Sequence, residues 1–98
     1  MIAKPTRAFT RAVAKLDRVE QILVFKSVER IKIGGGDIGK RLTGPLHDCF
    51  SLRTGHGGRL RIVFKLESFQ ILRLLTVGSR EQGMVYIQAL QVLKEVER

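Results

Sequence analysis

Hydrophobic positions recur with a helical period near the start of the chain. Phe9, Val13 and Leu16 fall at i, i+4 and i+7, which predicts one apolar stripe along a helix. Thr6 stands just before this stripe and is a suitable N-cap, because its hydroxyl can accept a hydrogen bond from a free backbone N–H of the first turn. The regular structure is therefore expected to begin with a helix.

A second helix is predicted from Asp17 onward, because Asp17 and Glu20 have the spacing of a capping box. The charged residues between Lys26 and Arg30 supply a polar face, which favours a helix over a strand for the ambiguous stretch from Gln21 to Val28. The residues expected to face inward are Ile22, Leu23, Phe25, Val28 and Ile31. Four glycines from Gly34 to Gly39 end the helical half of the chain. The two helices are expected to form an antiparallel hairpin.

After Pro45 the period of the pattern changes to two, which is typical of strands. One strand is predicted at Cys49 to Arg53, and a second at Arg59 to Leu66. In the first, Phe50 and Leu52 face one way, and Cys49, Ser51 and Arg53 the other. In the second, the core side is expected to hold Leu60, Ile62, Phe64 and Leu66, and the opposite side Arg59, Arg61, Val63 and Lys65. Each strand should thus present one basic face.

The connection between these strands, Thr54 to Gly58, is rich in glycine and predicts a hairpin. Arg53 and Arg61 are then expected to lie near each other across it. A third, more apolar strand is predicted at Phe69 to Val77, and its apolar character favours the centre of the sheet.

A last helix is predicted after Gly78, where Ser79 and Gln82 again have capping-box spacing. Its apolar stripe consists of Val85, Ala89, Val92 and Val96. The sequence therefore predicts an α+β fold in a single domain spanning residues 1–98. An N-terminal helical hairpin would pack on a small, twisted, mainly antiparallel β-sheet, followed by a C-terminal helix.

The amino-acid composition gives the chain a strong positive charge. The 98 residues include 18 Lys and Arg against 9 Asp and Glu, a net charge of +9, and 44% of them are hydrophobic. A folded chain with this charge points to a polyanion as its partner. One cysteine, Cys49, excludes an internal disulfide and suits a reducing cytosol. The sequence has no apolar leader and no membrane-spanning stretch, so a cytoplasmic protein is expected.

The positive charge is concentrated between Phe50 and Arg80. Six cations stand there against a single acid, Glu67; they are Arg53, Arg59, Arg61, Lys65, Arg73 and Arg80. Cations held on stiff strands make a phosphate-binding surface. Arg73, in the most apolar strand, is expected to lie instead on a solvated strand face.

The remaining motifs argue against a nucleotide site and against a metal site. GGGDIGK, from Gly34 to Lys40, has the spacing of a P-loop, but Arg41 stands where Ser or Thr must bind magnesium, so a nucleotide site is rejected. One cysteine and two separated histidines give no metal-ligand spacing, and neither a metal nor another cofactor is expected. His47 is expected to be structural, and Cys49 to be packed and inert.

Three segments between Lys40 and Ala89 follow one another in a pattern typical of a toxin superfamily. They read KRLTGPLHDCFSLRTG, GRLRIVF and LTVGSREQGMVY. They resemble the RelE/ParE superfamily of bacterial toxins, whose pattern runs from a Leu-x-Gly turn to a strand ending in Arg, then to an Arg-rich strand, Gly-x-Arg and a Tyr. The resemblance implies a RelE-like fold. The family usually opens with an N-terminal strand, for which Met1 to Lys4 offers only a stub before Pro5.

The ribosome-dependent RNases of the RelE branch are similar at the site residues, and this resemblance implies a catalytic set of Arg53, Arg61, Arg80 and Tyr86. Arg61 would clamp the scissile phosphate, and Arg80, at the start of the last helix, would add charge to the transition state. Tyr86 would stack on or orient a base, or else pack in the core, and Arg53 would polarise the 2'-hydroxyl. Ser51 stands where RelE-like enzymes often have lysine.

The general base is the open role, because arginine rarely loses a proton. His56, in the hairpin tip, is the nearby candidate for a proton shuttle, with an exposed loop histidine as the alternative. The further residues expected to bind RNA are Lys40, Arg41, Ser51, Arg59 and Lys65.

The resemblance implies the toxin of a toxin–antitoxin system that cuts mRNA in the ribosomal A site and inhibits translation. Its partners would be a cognate antitoxin, the ribosome and mRNA, with no cofactor. Two alternatives stay open. One is a ParE-like inhibitor of DNA gyrase, although ParE relatives generally lack the combined arginine and tyrosine set. The other is a catalytically inactive relative that binds RNA, which the serine at position 51 keeps open.

Overall fold

The computed structural model of the chain describes residues 1–97. The three helices are α1 (Arg7–Ala14), α2 (Arg18–Gly34) and α3 (Met84–Val96). The strands are β1 (Ile2–Pro5), β2 (Lys40–Arg41), β3 (Cys49–Thr54), β4 (Leu60–Leu66) and β5 (Ile71–Ser79). The predicted α+β architecture is confirmed, with a helical hairpin, a mainly antiparallel sheet and a C-terminal helix.

The five strands form one sheet in the order β1-β5-β4-β3-β2. β1 runs parallel to β5, and the other pairs are antiparallel. The prediction that the third strand of the meander lies at the centre is wrong, because β4 is the middle strand and β5 lies between β4 and β1. The predicted range was also too early, since Phe69 is 86% exposed and lies in the turn before β5.

The N-terminal stub is a paired strand, which corrects the sequence prediction. Residues Ile2 to Pro5 pair with Ile71 to Leu74 of β5. Pro5 is tolerated because β1 is an edge strand, where a missing N–H costs no ladder bond on the open side. β2 was not predicted either, since two residues are too few to show a period.

Both faces of the sheet are covered, and each cover forms a core. On one face α1 and α2 pack on the sheet through a cluster that includes Phe9, Val13, Val24, Val28, Ile31, Leu52, Ile62 and Phe64. On the other face α3 packs through Val85, Ala89, Val92 and Leu93 onto Cys49, Val63 and Leu75. The predicted basic face of β4 is therefore wrong for its middle, because Val63 is fully buried under α3.

A bulge between β4 and β5 helps to build the second core. Val63 pairs with Thr76 and Phe64 with Leu74, so Leu75 is the extra residue of β5. Leu75 and Thr76 can then both face α3. Leu75 packs in the second core, and Thr76 Oγ1 donates a hydrogen bond of 3.0 Å to Gln88 Oε1.

The two predicted N-caps are confirmed. Thr6 Oγ1 accepts a hydrogen bond of 3.1 Å from Phe9 N, and Asp17 Oδ1 accepts one of 2.8 Å from Glu20 N. The predicted inward face of α2 is wrong in part, because Ile22 and Phe25 are 47% and 56% exposed. The buried face instead consists of Glu20, Val24, Ser27, Val28 and Ile31.

Polar groups on this face of α2 bind the tip of the β3–β4 hairpin. The buried Glu20 side chain accepts hydrogen bonds from His56 N at 3.1 Å and from Arg59 Nε at 3.0 Å. This carboxylate therefore points to the hairpin and does not complete the predicted capping box. Nearby, Ser27 Oγ lies 2.7 Å from Thr54 Oγ1, which donates to the carbonyl of Leu23. The network fixes the hairpin tip against the helix.

The start of α3 differs from the prediction. The expected capping box of Ser79 and Gln82 is wrong, because Ser79 Oγ accepts from Glu81 N and Gln82 has a φ of +54°. A turn at these residues delays the helix, which begins at Met84 behind Gly83.

The C-terminal end of the predicted stripe on α3 is also shifted. Val96 is 37% exposed, whereas Leu93 is 6% exposed and packs in the second core. The stripe therefore ends one helical turn earlier than its spacing predicted.

Replacing Glu20 with alanine is expected to lower the free energy of unfolding by about 1–3 kcal/mol, because the N–H of His56 and the guanidinium of Arg59 lose a partly buried acceptor. The matched control is Glu29→Ala, which removes the carboxylate of the exposed pair with Lys32 and should cost less than about 0.5 kcal/mol. Urea unfolding of the three proteins measures both changes. Equal losses for the two variants would show that Glu20 does not anchor the hairpin.

Candidate active site

A cleft of about 500 Å³ opens on the face of the sheet that α3 covers, beside the first turn of that helix. Its lining residues are Ile38, Lys40, Ser51, Leu52, Arg53, Arg61, Arg80 and Tyr86. All four residues predicted as a catalytic set are therefore brought to one cavity. Lys40 and Ser51, which were predicted to bind RNA, line it as well.

Strand register explains why these side chains meet. Lys40 of β2 pairs with Ser51 of β3, and Arg53 of β3 pairs with Arg61 of β4. Paired residues share a face of the sheet, and so do Ser51 and Arg53, which are two positions apart on one strand. The three strands therefore present four polar side chains in one row.

Arg61 is the buried cation of the cleft, with 8% of its surface exposed. Its Nη1 donates to the carbonyl oxygens of Gly58 at 2.7 Å and Leu60 at 3.1 Å. Backbone acceptors thus fix one end of the guanidinium. Within residues 1–97 it forms no ion pair, so its Nε and Nη2 remain for an anion in the cleft.

Arg53 is exposed and lies over the hairpin backbone. A Cβ atom built on Gly58 would lie 2.5 Å from Arg53 Cδ and 2.9 Å from Arg53 Cγ. Gly58 also has a φ of +70°, a conformation that side chains disfavour. Glycine is therefore favoured at position 58 for two reasons: it adopts the positive φ of the turn, and it leaves room for the side chain of Arg53.

Arg80 and Tyr86 enter the cleft from the side of α3. Arg80 is exposed and lies four residues before Met84, so its predicted place at the start of the helix is wrong. Tyr86 is half-buried, packs against the second core and also lines the cleft. The two alternatives for the tyrosine, core packing and a site residue, are thus compatible.

The six cations between Arg53 and Arg80 fall into two groups. Three of them pair with carboxylates, as Arg59 with Glu20 at 3.0 Å, Lys65 with Glu97 at 2.6 Å and Arg73 with Glu67 at 2.6 Å. The other three, Arg53, Arg61 and Arg80, line the cleft with Lys40, and none of these four forms an ion pair in the described part of the chain. Within this group of six, the cations outside the cleft are neutralised by carboxylates of residues 1–97 and those that line it are not.

Two of these ion pairs shift the pKa of one of their members. The hydrogen bond to Glu97 raises the pKa of Lys65, and the hydrogen bond from Arg73 lowers the pKa of Glu67. Lys65 and Arg59, both predicted to bind RNA, do not line the cleft.

His56 and Arg41 also lie outside the cleft. His56 is exposed at the hairpin tip, in a separate depression with Asp17, Val19, Glu20 and Arg59. The Arg41 guanidinium lies 5.9 Å from the centroid of the Phe50 ring, and its Nε donates to the carbonyl of His47. The roles of His56 as a proton shuttle and of Arg41 in RNA binding stay predictions.

Two apolar residues that line the cleft, Ile38 and Leu52, were not predicted as site residues. Lys40 was expected to bind RNA, but the two-residue strand that positions it was not predicted. The pairing of Lys40 with Ser51 depends on the turn between β2 and β3, which a hydrophobic period does not describe.

The described chain, residues 1–97, has no group of three His, Cys, Asp or Glu side chains placed to hold a metal ion. In the same range, every helix is too short or too polar to cross a bilayer.

No protein-family model matches the sequence, and no curated protein is significantly similar to it. Solved structures do match. A free E. coli RelE toxin with two arginines replaced by alanine is 16% identical, with a TM-score of 0.72 over 91% of this chain and 93% of that one. The isolated E. coli RelE toxin is 17% identical, with a TM-score of 0.67 over 93% and 96%. The chain has a RelE-like fold.

A third structure, the RelBE2 toxin–antitoxin complex from Mycobacterium tuberculosis, is 21% identical, with a TM-score of 0.56 over 80% of this chain and 95% of that one. The likeness of fold to these three structures thus covers most of the chain.

Cys49 is expected to resist alkylation in the native protein. Burial raises its pKa to about 11, so only about one thiol in a thousand is ionised at pH 8. Iodoacetamide at pH 8 should therefore modify the protein in urea but leave the folded protein unmodified, as read by intact mass. Rapid stoichiometric alkylation of the folded protein would contradict the buried placement of Cys49.

Proposed function

We propose that this protein is the toxin of a toxin–antitoxin pair and a ribosome-dependent endoribonuclease that cuts mRNA in the A site. One observation carries the proposal: three arginines, a lysine and a tyrosine line one cleft, and none of the four cations is neutralised by a carboxylate within residues 1–97. The likeness of fold to RelE toxins supports the same reading.

The chemistry that suits such a cleft is attack of the RNA 2'-hydroxyl on the adjacent phosphate. The transition state carries extra negative charge on the phosphoryl oxygens, and fixed cations in a partly desolvated site stabilise that charge. Arg61 is the proposed phosphate clamp, because its guanidinium is buried and held by two backbone carbonyls. A guanidinium fixed in this way can bind two phosphoryl oxygens at once.

The other residues surround this clamp. Arg53, paired with Arg61 across the hairpin, would bind the same phosphate group and polarise the 2'-hydroxyl. Arg80 is on an exposed turn and can approach the phosphate from the opposite wall. Tyr86 has its backbone fixed in α3 and would hold the base by stacking.

The proposed partners follow from the charge of the cleft. The mRNA and ribosomal RNA supply phosphates, and binding should weaken with salt because each neutralised phosphate releases counterions. An antitoxin that covers the cleft should present carboxylates to Arg53 and Arg61. Translation takes place in the cytoplasm, which is the proposed location.

The test is cleavage of a defined mRNA on 70S ribosomes with one codon in the A site. The wild-type protein should produce a 2',3'-cyclic phosphate end. Arg61→Ala and Arg80→Ala should each slow cleavage by about 100-fold or more, since each removes a charged group that stabilises the transition state. Tyr86→Phe keeps the ring and should be slowed less than Tyr86→Ala.

Arg30→Ala is the matched control, because Arg30 is an exposed arginine on α2, and α2 packs on the opposite face of the sheet. It should cleave like the wild type. If the folded wild-type protein gives no cut with ribosomes, the endoribonuclease proposal is overturned. Inhibition of DNA gyrase or RNA binding without cleavage would then be the activities to measure.

A pair of glycine variants tests the role of Arg53 without touching its charge. Gly57 and Gly58 have φ values of +66° and +70°, so alanine at either should cost about 1 kcal/mol of stability. Only at Gly58 would the new Cβ collide with Arg53; at Gly57 nothing lies within 4 Å. Gly58→Ala should therefore reduce cleavage and Gly57→Ala should not. Equal activity of two equally stable variants would show that the position of Arg53 is unimportant.

A further inference from the structure

The proposed RNA cleavage leaves one chemical requirement open. The 5'-oxygen that departs from phosphorus is strongly basic and must receive a proton as its bond breaks. Guanidinium groups do not give up a proton in proteins. The three arginines of the cleft can therefore stabilise charge but cannot protonate the leaving group. His56, at the tip of the hairpin, does not line the cleft.

Lys40 has the required chemistry and position. It is the single lysine among the eight residues found to line the cleft within residues 1–97. An ammonium has three N–H donors and, unlike guanidinium, can release one of its protons. No carboxylate in the described chain pairs with Lys40, so its charge is not committed elsewhere.

The strand register directs Lys40 toward the phosphate site. Lys40 pairs with Ser51, and the next cleft-facing position of β3 is Arg53, which pairs with Arg61. Ser51 is 5% exposed and has a short side chain, whereas its partner Lys40 has a long one that lines the cleft. Lys40 is exposed, and it lines the same cleft as Arg53 and Arg61, so its ammonium can reach a phosphate bound there.

We propose that Lys40 is the general acid of the cleavage reaction, an inference that rests on the proposed endoribonuclease function. The bond between the 2'-oxygen and phosphorus forms while the bond between phosphorus and the 5'-oxygen breaks. The proton of the 2'-hydroxyl passes to solvent water, and a proton of the Lys40 ammonium passes to the departing 5'-oxygen. The products are a 2',3'-cyclic phosphate and a 5'-hydroxyl, and the Lys40 amine regains its proton from solvent.

The test compares two mRNA substrates on programmed ribosomes under single-turnover conditions. One has the normal 5'-oxygen at the scissile position, and the other has a bridging 5'-sulfur there. A thiolate leaves without a proton, because thiols are far more acidic than alcohols. Lys40→Ala and Lys40→Arg should each slow cleavage of the oxygen substrate by about 100-fold or more, the usual contribution of a general acid. Both variants should cleave the sulfur substrate within a few-fold of the wild-type rate.

The outcomes separate the role of Lys40 from the function of the protein. Equal losses on both substrates would show that Lys40 only binds RNA, and full activity of Lys40→Arg on the oxygen substrate would show that only its charge matters; either result overturns the inference. If the wild-type protein cuts neither substrate, the proposed function itself fails. Lys32→Ala is the control, since it removes a lysine on α2 that is paired with Glu29. Thermal unfolding of each variant verifies its fold.

Discussion

The structure depends on covering both faces of the central strand β4. Residues Leu60 to Phe64 are buried in succession, which requires a hydrophobic cover on each side of the sheet. The helical hairpin of α1 and α2 covers one face along its length. On the other face α3 begins only at Met84, after the turn that contains Arg80. The part of the sheet beyond the first turn of α3 stays open, and the cleft lies there.

This arrangement determines which cations remain free. Arg61 is the β4 residue at the open end of the covered face, and burial of its charge without a carboxylate is costly unless its N–H groups find acceptors. Two backbone carbonyls accept hydrogen bonds from its Nη1, and its Nε and Nη2 remain for a ligand in the cleft. Acids from α2, the β4–β5 turn and the end of α3 neutralise Arg59, Arg73 and Lys65. Of the six cations between Arg53 and Arg80, the three that remain unpaired within residues 1–97 therefore lie together in one concave site.

Features that depend on neighbours in the sequence were predictable. The N-caps Thr6 and Asp17 follow from the chemistry of helix ends, and the glycine-rich hairpin brought Arg53 opposite Arg61 as expected. These features need only a few residues of context. They were enough to predict the architecture and the approach of Arg53 to Arg61, whereas Arg80 and Tyr86 were predicted as site residues from the resemblance to RelE-like toxins.

Features that depend on distant partners were not predictable in the same way. The face of α2 that turns inward contains a carboxylate, because a backbone N–H and an arginine of the hairpin satisfy Glu20. The ion pairs of Arg59 and Lys65 likewise engage two cations that were predicted to bind RNA. Neither effect has a period in the sequence, since each joins elements that meet only after folding.

The unpaired cations of the cleft would bind both partners that the proposed function requires, RNA and an antitoxin. Arg53 and Arg61 are directly opposite across two antiparallel strands, and like charges in this position repel each other. An anion between them removes that repulsion, whether it is an RNA phosphate or a carboxylate of an antitoxin. Binding of either ligand would therefore be stabilised by relief of the same repulsion, and each ligand would need the same N–H groups of Arg61. An acidic antitoxin seated in the cleft would exclude RNA by competition alone, with no change in the fold of the toxin.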